Sequence, residues 1–131
     1  MTRILIVEDE PGIALGLEDD LTIEGYAVEA VGDGRSALDR ARARPFDLIL
    51  LDVNLPDMDG YSVCRAIRHV DKKVPIVFVT AKGDLKDYTA GREAGGDSYL
   101  VKPIARAALR SIVNLFTSIE RSKASGQAPG S

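Results

Sequence analysis

The sequence predicts an α/β domain in which helices cover both faces of a doubly wound parallel sheet. Short apolar runs recur along the chain, and each has the length of a strand buried on both faces. Segments with helical spacing of apolar residues separate these runs, so that strand and helix alternate five times. The chain has 131 residues, of which 45% are hydrophobic and 28% charged, and this suits one globular domain.

Three strands and three helices are predicted in the first half of the chain. The helix after the first strand begins at Pro11 and is followed by Gly25, residues typical of a first helical turn and of a helix end. The second strand is the weakest candidate, and the helix after it ends before Pro45. A turn rich in Pro, Asp and Gly follows the third strand. The predicted strands are 4–7, 27–31 and 48–51, and the predicted helices are 11–24, 34–43 and 60–69.

Two further strands and two helices are predicted in the second half. Gly95 and Gly96 give a C-cap signal for the helix that precedes them. Apolar periodicity ends after residue 121, so we predict a domain over residues 1–121 and a flexible tail or linker stub over residues 122–131. The predicted strands are 75–79 and 98–101, and the predicted helices are 84–94 and 104–121.

Four of the predicted strands end next to a side chain that can do chemistry. Glu8 and Asp9 follow the first strand, Asp52 the third, Thr80 the fourth and Lys102 the fifth. An open α/β sheet binds its ligands beyond the carboxyl ends of its strands, which lie at one edge. We therefore expect these side chains to form one site.

Three of these groups are carboxylates, which repel one another unless a cation lies between them. Mg²⁺ meets this need because it prefers oxygen ligands and keeps several waters. We expect Glu8, Asp9 and Asp52 to contribute ligands to Mg²⁺, directly or through water. The backbone carbonyl of Asn54, just past Asp52, can supply another ligand.

A hydroxyl at Thr80 and a cation at Lys102 suit an anion beside the metal, such as a phosphoryl group. A carboxylate can attack phosphorus to form an acyl phosphate, and Asp52 is ionised at neutral pH without a general base. His69, the one histidine, is predicted at the far end of a helix. The sequence therefore predicts phosphoryl transfer to Asp52, assisted by charge neutralisation at Lys102.

Five motifs of the chain belong together: Glu8-Asp9, Asp52-Val53-Asn54-Leu55-Pro56-Asp57-Met58-Asp59-Gly60, Thr80-Ala81, Gly95-Gly96-Asp97-Ser98-Tyr99-Leu100 and Lys102-Pro103. Jointly they resemble the receiver domains of two-component response regulators, and the resemblance covers residues 3–121. It implies a flavodoxin-like fold with five parallel strands in the order 2-1-3-4-5. It also implies a phosphorylation-dependent signalling switch that controls a partner or output domain, rather than an enzyme with a released substrate.

The resemblance also assigns roles to the site residues. It implies that Asp52 accepts a phosphoryl group from a histidine kinase or a histidine phosphotransfer protein. It implies that Glu8, Asp9, Asp52 and the carbonyl of Asn54 hold Mg²⁺. The chain would thereby assist its own phosphorylation and dephosphorylation.

A further implication of the resemblance is a switch built from Thr80 and Tyr99. Once the phosphoryl group arrives, the Thr80 hydroxyl moves toward it and Tyr99 turns inward. The resemblance also implies a cis peptide bond between Lys102 and Pro103. Lys82 and Asn54 flank the phosphoryl site and, by the same resemblance, influence how fast water reaches the acyl phosphate.

The last predicted helix carries more apolar residues than one face against a sheet requires. Its apolar positions span an arc of roughly 180°, whereas packing on a sheet needs about 100°. We hypothesise that Leu109, Val113 and Phe116 form an exposed stripe used in a homodimer or against an effector. The alternative is that a loop or a neighbouring helix covers these residues.

Three rival functions differ from this interpretation at particular residues. An aspartyl-nucleophile phosphatase needs a second Asp two residues after the first, where this chain has Asn54. A flavin-binding domain of similar fold needs a Ser-, Thr- and Gly-rich phosphate loop, whereas Glu8 and Asp9 would repel the phosphate. A degenerate receiver that only binds partners would lack a site residue, and none is missing.

Composition argues against several other classes of protein. The net charge of −3 gives no overall field that would attract nucleic acid or an anionic membrane. No apolar stretch approaches the roughly 18 residues of a transmembrane helix. The single cysteine, Cys64, rules out an internal disulfide and a cysteine-based metal cluster, and its helical setting predicts a packed thiol. We expect a cytoplasmic protein.

Overall fold

The predicted strands assemble into one parallel sheet with the order β2-β1-β3-β4-β5, which confirms the flavodoxin-like arrangement. A computed structural model describes residues 1–81 and 85–124, without the side chains of residue 85 and residues 119–124. Lys82 and residues 125–131 lie outside the described part. The elements are β1 (Arg3–Val7), α1 (Pro11–Ile23), β2 (Ala27–Val31), α2 (Gly34–Ala43), β3 (Leu48–Asp52), α3 (Gly60–Val70), β4 (Ile76–Thr80), α4 (Leu85–Ala94), β5 (Ser98–Val101) and α5 (Arg106–Ala124).

The central strands are buried on both faces, as their apolar runs predict. All five residues of β3 and all five of β4 are buried. Successive residues of β3 point to opposite faces, so Leu48 and Leu50 pack against α1 and α5, whereas Ile49 and Leu51 pack toward α2, α3 and α4. The sheet therefore separates two hydrophobic cores. Packing on both faces holds the carboxyl ends of its strands in place.

The helix starts carry capping side chains that set the loops at this edge. Asp33 accepts a hydrogen bond of 2.7 Å from the backbone N–H of Ser36 at the start of α2. Asp59 accepts one of 2.9 Å from the N–H of Ser62 at the start of α3. Each cap satisfies a donor that the helix itself leaves without a partner.

The predicted exposed stripe on the last helix is wrong. Leu109 is 2% exposed and Val113 is 1% exposed, and both pack in the core between α5 and the sheet. Phe116 is partly buried against the same core. The face of α5 that meets the sheet follows the spacing 109, 113, 117, and the exposed apolar edge lies at Leu115, which is 56% exposed. A wide apolar arc does not tell which of its halves meets the sheet, and the hypothesised stripe lies in the half that does.

The ends of α5 also differ from the predicted bounds. The helix begins at Arg106 rather than at residue 104, and the preceding Lys102–Pro103 bond is cis, as the resemblance implied. It ends at Ala124, so residues 122–124 continue the helix instead of beginning a tail. Within residues 1–81 and 85–124, no helix combines the length and apolar character needed to span a bilayer.

Arg68 binds backbone carbonyls at the end of the sheet opposite the site. We therefore expect its substitution to lower the stability of the fold. Its guanidinium donates to the carbonyl of Gly95 at 2.8 and 2.9 Å, to the carbonyl of Val74 at 2.7 Å and to Asp97 Oδ2 at 3.0 Å. Arg68→Lys leaves several of these acceptors unsatisfied, so we expect the free energy of unfolding to fall by about 1–3 kcal/mol. Urea unfolding measures this fall, and exposed Arg65→Lys on the same helix is the matched control, expected to stay within about 0.5 kcal/mol of wild type. Equal effects of the two substitutions would contradict the prediction.

Candidate functional site

The polar groups predicted at the strand ends do meet at one edge of the sheet. Glu8 follows β1, Asp52 and Thr80 are the last residues of β3 and β4, and Lys102 follows β5. These four strands are consecutive neighbours and all parallel, so their carboxyl ends lie side by side. Lys102 Nζ lies 2.8 Å from Glu8 Oε1 and 3.1 Å from Asp52 Oδ2. One ammonium group therefore joins the ends of three strands.

Most of these groups are withdrawn from water, which is unusual for charged side chains. Glu8 is 4% exposed, Asp52 is 3% exposed and Thr80 is 4% exposed, whereas Asp9 lies at the surface. Two neighbouring carboxylates without solvent are costly unless a cation pairs with them. Lys102 supplies one positive charge, and its side chain keeps 21% of its surface exposed.

The protonation equilibria reflect this shared cation. Burial raises the pKa of Glu8 above its ordinary value, and the nearby Asp52 adds to the rise, although Lys102 and the N–H of Glu10 oppose it. Burial alone would lower the pKa of Lys102, but Glu8 and Asp52 outweigh it, so that pKa lies above its ordinary value. The site therefore favours the charged ammonium form of Lys102, whereas Lys102 offsets only part of the cost of burying the Glu8 carboxylate.

The acidic side chains at this edge are arranged so that they could hold a small cation. Glu8, Asp9 and Asp52 each offer one carboxylate oxygen, and these oxygens lie within 4.8 Å of one another. Mg²⁺ binds oxygen ligands and keeps several waters, so three carboxylate oxygens this close together could hold one ion, directly or through water. Glu8 Oε1 is buried and, within the described residues, has no hydrogen-bond partner, since its approach to Lys102 is an ion pair without hydrogen-bond geometry. Three carboxylates and one ammonium sum to −2, the charge that one divalent ion balances.

The turn after β3 is held in shape by its own backbone. Asn54 N donates to Asp52 Oδ1 at 3.0 Å, which orients the carboxylate, and Asn54 forms an isolated bridge with Asp59. Gly60 N donates to the carbonyl of Val53 at 2.6 Å. A Cβ at residue 60 would overlap the carbonyl oxygen of Asp52, so this position requires glycine. The predicted metal ligand, the carbonyl of Asn54, therefore sits on a loop with few ways to move.

Asp57, at the tip of the same turn, has a role that its turn-like sequence did not indicate. Its carboxylate accepts hydrogen bonds from the N–H groups of Gly34 at 2.8 Å and Arg35 at 3.0 Å, the first residues of α2. These two donors lower the pKa of Asp57 below its ordinary value. Only the tertiary structure brings residues 57 and 34 together, so no local spacing could have revealed this contact.

Tyr99 lies in an aromatic cluster on β5, and β4 separates it from the strand that carries Asp52. Its ring centroid is 5.5 Å from that of Phe78 on β4 and 4.5 Å from that of Tyr88 on α4. Its hydroxyl lies 3.5 Å from the hydroxyl of Tyr61 on α3. Sequence analysis singled out Tyr99 but neither Tyr61 nor Gly91, which adjoins its hydroxyl.

Cys64 and His69 lie where the sequence predicts them, away from the cluster of carboxylates. Cys64 is buried, its Sγ donates to the carbonyl of Ala94 at 3.4 Å, and burial raises its pKa to about 11, as expected of a packed thiol. His69 is exposed in the last turn of α3, whose first turn is the end that faces the site.

Residues 4–114 match the family model described as the response regulator receiver domain. Response regulator ArlR of Staphylococcus epidermidis is 46% identical over 103 residues, which are 79% of this chain and 47% of that protein. Response regulator ArlR of Staphylococcus aureus is 48% identical over the same shares. The chain thus spans about half the length of the curated relatives it matches.

Solved structures agree with this match. A CheY-like response regulator receiver domain protein from Methanospirillum hungatei superposes with a TM-score of 0.89 at 27% identity, over 94% of this chain and 98% of that one. The receiver domain of sensor histidine kinase PA1611 from Pseudomonas aeruginosa, which has a magnesium ion coordinated in its active site cleft, gives 0.83 at 38% identity, over 89% and 98% of the two chains.

Proposed function

Because the chain belongs to the response regulator receiver family of two-component systems, we propose that Asp52 is its phosphoacceptor. The observation that carries the proposal is the setting of this carboxylate. Asp52 ends a central strand, is 3% exposed and accepts a hydrogen bond of 3.1 Å from Lys102. Its neighbours Glu8 and Asp9 complete a cluster of oxygens that can hold a metal ion.

The proposed transfer needs only bonds that these groups can support. An oxygen of Asp52 forms a bond to phosphorus while the bond from phosphorus to the donor's histidine nitrogen breaks, and that nitrogen keeps the electron pair. The product is an acyl phosphate on Asp52. Lys102 stabilises the negative charge that gathers on the phosphoryl oxygens, and it moves no proton. Attack by water on the same phosphorus later breaks its bond to the Asp52 oxygen, which releases inorganic phosphate and restores the carboxylate, so the chain assists both reactions.

We infer that the metal is Mg²⁺, held by Glu8, Asp9 and Asp52 with the carbonyl of Asn54. The donor set consists of oxygens alone, and the site's net charge of −2 matches one such ion. When bound, Mg²⁺ neutralises part of the charge on the phosphoryl group. The magnesium ion in the cleft of the PA1611 receiver domain supports the same choice here.

Thr80 and Tyr99 are the proposed switch residues. Thr80 is buried at the end of β4, the strand next to that of Asp52. Tyr99 stands opposite Phe78 on the following strand. Movement of the Thr80 hydroxyl toward the phosphoryl group would vacate space that the Tyr99 side chain can enter. This movement would couple the site to the surface formed by α4 and β5.

The partners proposed are a histidine kinase or histidine phosphotransfer protein upstream and an output region or separate protein downstream. Support for an output region comes from ArlR, of which the matched segment covers about half. A homodimer through Leu109 and Val113 is no longer proposed, because both side chains are in the core. We propose a cytoplasmic location and no direct nucleic-acid contact by this domain, in line with its net charge of −3.

The proposal is tested by intact mass after incubation with acetyl phosphate. We expect one phosphoryl adduct per chain in the presence of Mg²⁺, removed by hydroxylamine as an acyl phosphate is, and none when EDTA replaces Mg²⁺. A phosphorylated histidine phosphotransfer protein serves as the second donor. A folded, Mg²⁺-binding chain that gains no adduct from either donor would refute the proposal and leave a module that only binds its partners.

A further inference from the structure

A glycine stands inside α4 although the helix itself does not require one. Gly91 belongs to Leu85–Ala94, and the positive-φ glycines of the described residues are Gly25 and Gly95, so its backbone is helical. Glycine in a helix interior is less favourable than alanine, because its backbone loses more conformational freedom on folding. The reason for Gly91 must therefore lie in what surrounds it.

The space that a side chain would occupy at residue 91 is filled by Tyr99. A Cβ there would overlap the Tyr99 hydroxyl and would lie 2.8 Å from Cζ and 3.0 Å from Cε2 of the same ring. Real Cβ atoms essentially never make contacts under 3.0 Å, so a side chain at residue 91 would force its neighbour to shift. Gly12 and Gly16 on α1 differ, because nothing lies within 4 Å of a Cβ built at either one.

The hydroxyl of Tyr99 meets a second partner on the opposite side. Tyr61 Oη lies 3.5 Å from Tyr99 Oη and donates a hydrogen bond of 3.4 Å to the carbonyl of Asp87 on α4. These distances are long for O–H···O contacts, so Tyr61 contributes less than the steric fit at Gly91. We call the space bounded by Gly91, Tyr61, Phe78 and Tyr88 the Tyr99 recess.

We propose that Gly91 is a positioning residue for the switch, since the absence of a side chain there leaves space for the Tyr99 ring and so allows Tyr99 to turn inward. The inference rests on the proposed function, in which the position of Tyr99 is coupled to phosphorylation of Asp52. Tyr99 would therefore occupy the recess in the phosphorylated state. Closure of the recess would uncouple the phosphorylation site from the surface at α4.

The effect of Gly91→Ala depends on whether the Tyr99 side chain or helix α4 moves to relieve the overlap. The atoms in the way are the far end of one side chain, so rotation of Tyr99 out of the recess costs less than displacement of α4. The variant should fold and still accept a phosphoryl group. Coupling is reciprocal: if phosphorylation favours Tyr99 in the recess, a variant that excludes it must bind the phosphoryl mimic more weakly by the same factor.

The test is a double-mutant cycle on the complete chain, with beryllofluoride and Mg²⁺ as the phosphoryl mimic. We expect Gly91→Ala to weaken beryllofluoride binding by about fivefold or more, and Gly16→Ala, a helical glycine with free space, to leave it unchanged. In a Tyr99→Ala background, Gly91→Ala should have no further effect, because no ring remains to be excluded. Equal weakening by Gly91→Ala in the two backgrounds would overturn the proposal.

A second measurement separates this inference from the proposed function. In tyrosine-labelled NMR spectra without beryllofluoride, Gly91→Ala should shift the Tyr99 ring signals, identified by their loss in Tyr99→Phe, whereas Gly16→Ala should not. An unchanged Tyr99 signal in Gly91→Ala would show that the ring needs no recess. If instead the signal shifts but wild type neither binds beryllofluoride nor gains a phosphoryl adduct, then the recess exists and the phosphoacceptor proposal has failed.

Discussion

Asp52→Asn is expected to abolish the phosphoryl adduct completely, from acetyl phosphate and from a phosphohistidine donor alike. Asparagine has nearly the same volume and can still accept the 3.0 Å hydrogen bond from Asn54 N, so the fold should persist. Its amide oxygen is neutral and does not attack phosphorus as a carboxylate does. The substitution also removes one of the three carboxylates from the acidic cluster, so Mg²⁺ affinity should fall as well. Intact mass spectrometry measures the first effect and a Mg²⁺ titration the second.

Asp57→Asn is the matched control for this prediction. Asp57 lies on the same turn and is the same residue type, but its carboxylate faces the start of α2, where it accepts from Gly34 N and Arg35 N. Its loss should weaken the anchoring of the turn without removing the nucleophile, so a single adduct should still form. An adduct on Asp52→Asn, or none on a folded Asp57→Asn, would contradict the assignment of the acceptor.

The position of the carboxylate cluster could be predicted from the sequence because it depends on strand ends alone. A buried parallel strand needs an unbroken apolar run, and the first polar residue after Leu51 therefore marks the edge where ligands bind. The same rule placed Glu8 and Lys102 at that edge, and in the structure Lys102 Nζ lies 2.8 Å from Glu8 Oε1 and 3.1 Å from Asp52 Oδ2. No knowledge of side-chain packing was required for that step.

Residues whose roles depend on packing between distant segments could not be predicted. The arc of apolar residues on α5 was visible, but whether Leu109 faced the sheet or solvent depended on how the helix is rotated on the sheet. Gly91 resembles any helix-weakening glycine until the ring of Tyr99 is seen to fill its place. The cap that Asp57 provides to α2 joins residues 23 positions apart in the chain.

Lys102→Met is expected to lower the stability of the metal-free protein by about 3 kcal/mol at neutral pH, the range found when one partner of a buried ion pair is removed. The reason is that Glu8 and Asp52, both nearly inaccessible to water, would then face each other without their cation. Mg²⁺ should restore much of the loss, because it supplies the missing positive charge. Urea unfolding in EDTA and in Mg²⁺ measures both effects, and exposed Lys72→Met is the matched control, expected to be near neutral in either buffer.

The pH dependence of the same variant distinguishes lost charge from lost packing. The pKa of Glu8 is raised in the folded protein, so its protonated form contributes stability that is present below its ordinary pKa and lost as pH rises through the folded value. Lys102 is the largest influence that lowers this pKa, so Lys102→Met should raise it further. The stability deficit relative to wild type should therefore be full near about pH 8 and shrink as pH falls toward about 5. A deficit that neither pH nor Mg²⁺ alters would mean that Lys102 stabilises the fold through its methylene chain, and the electrostatic account of this site would then be wrong.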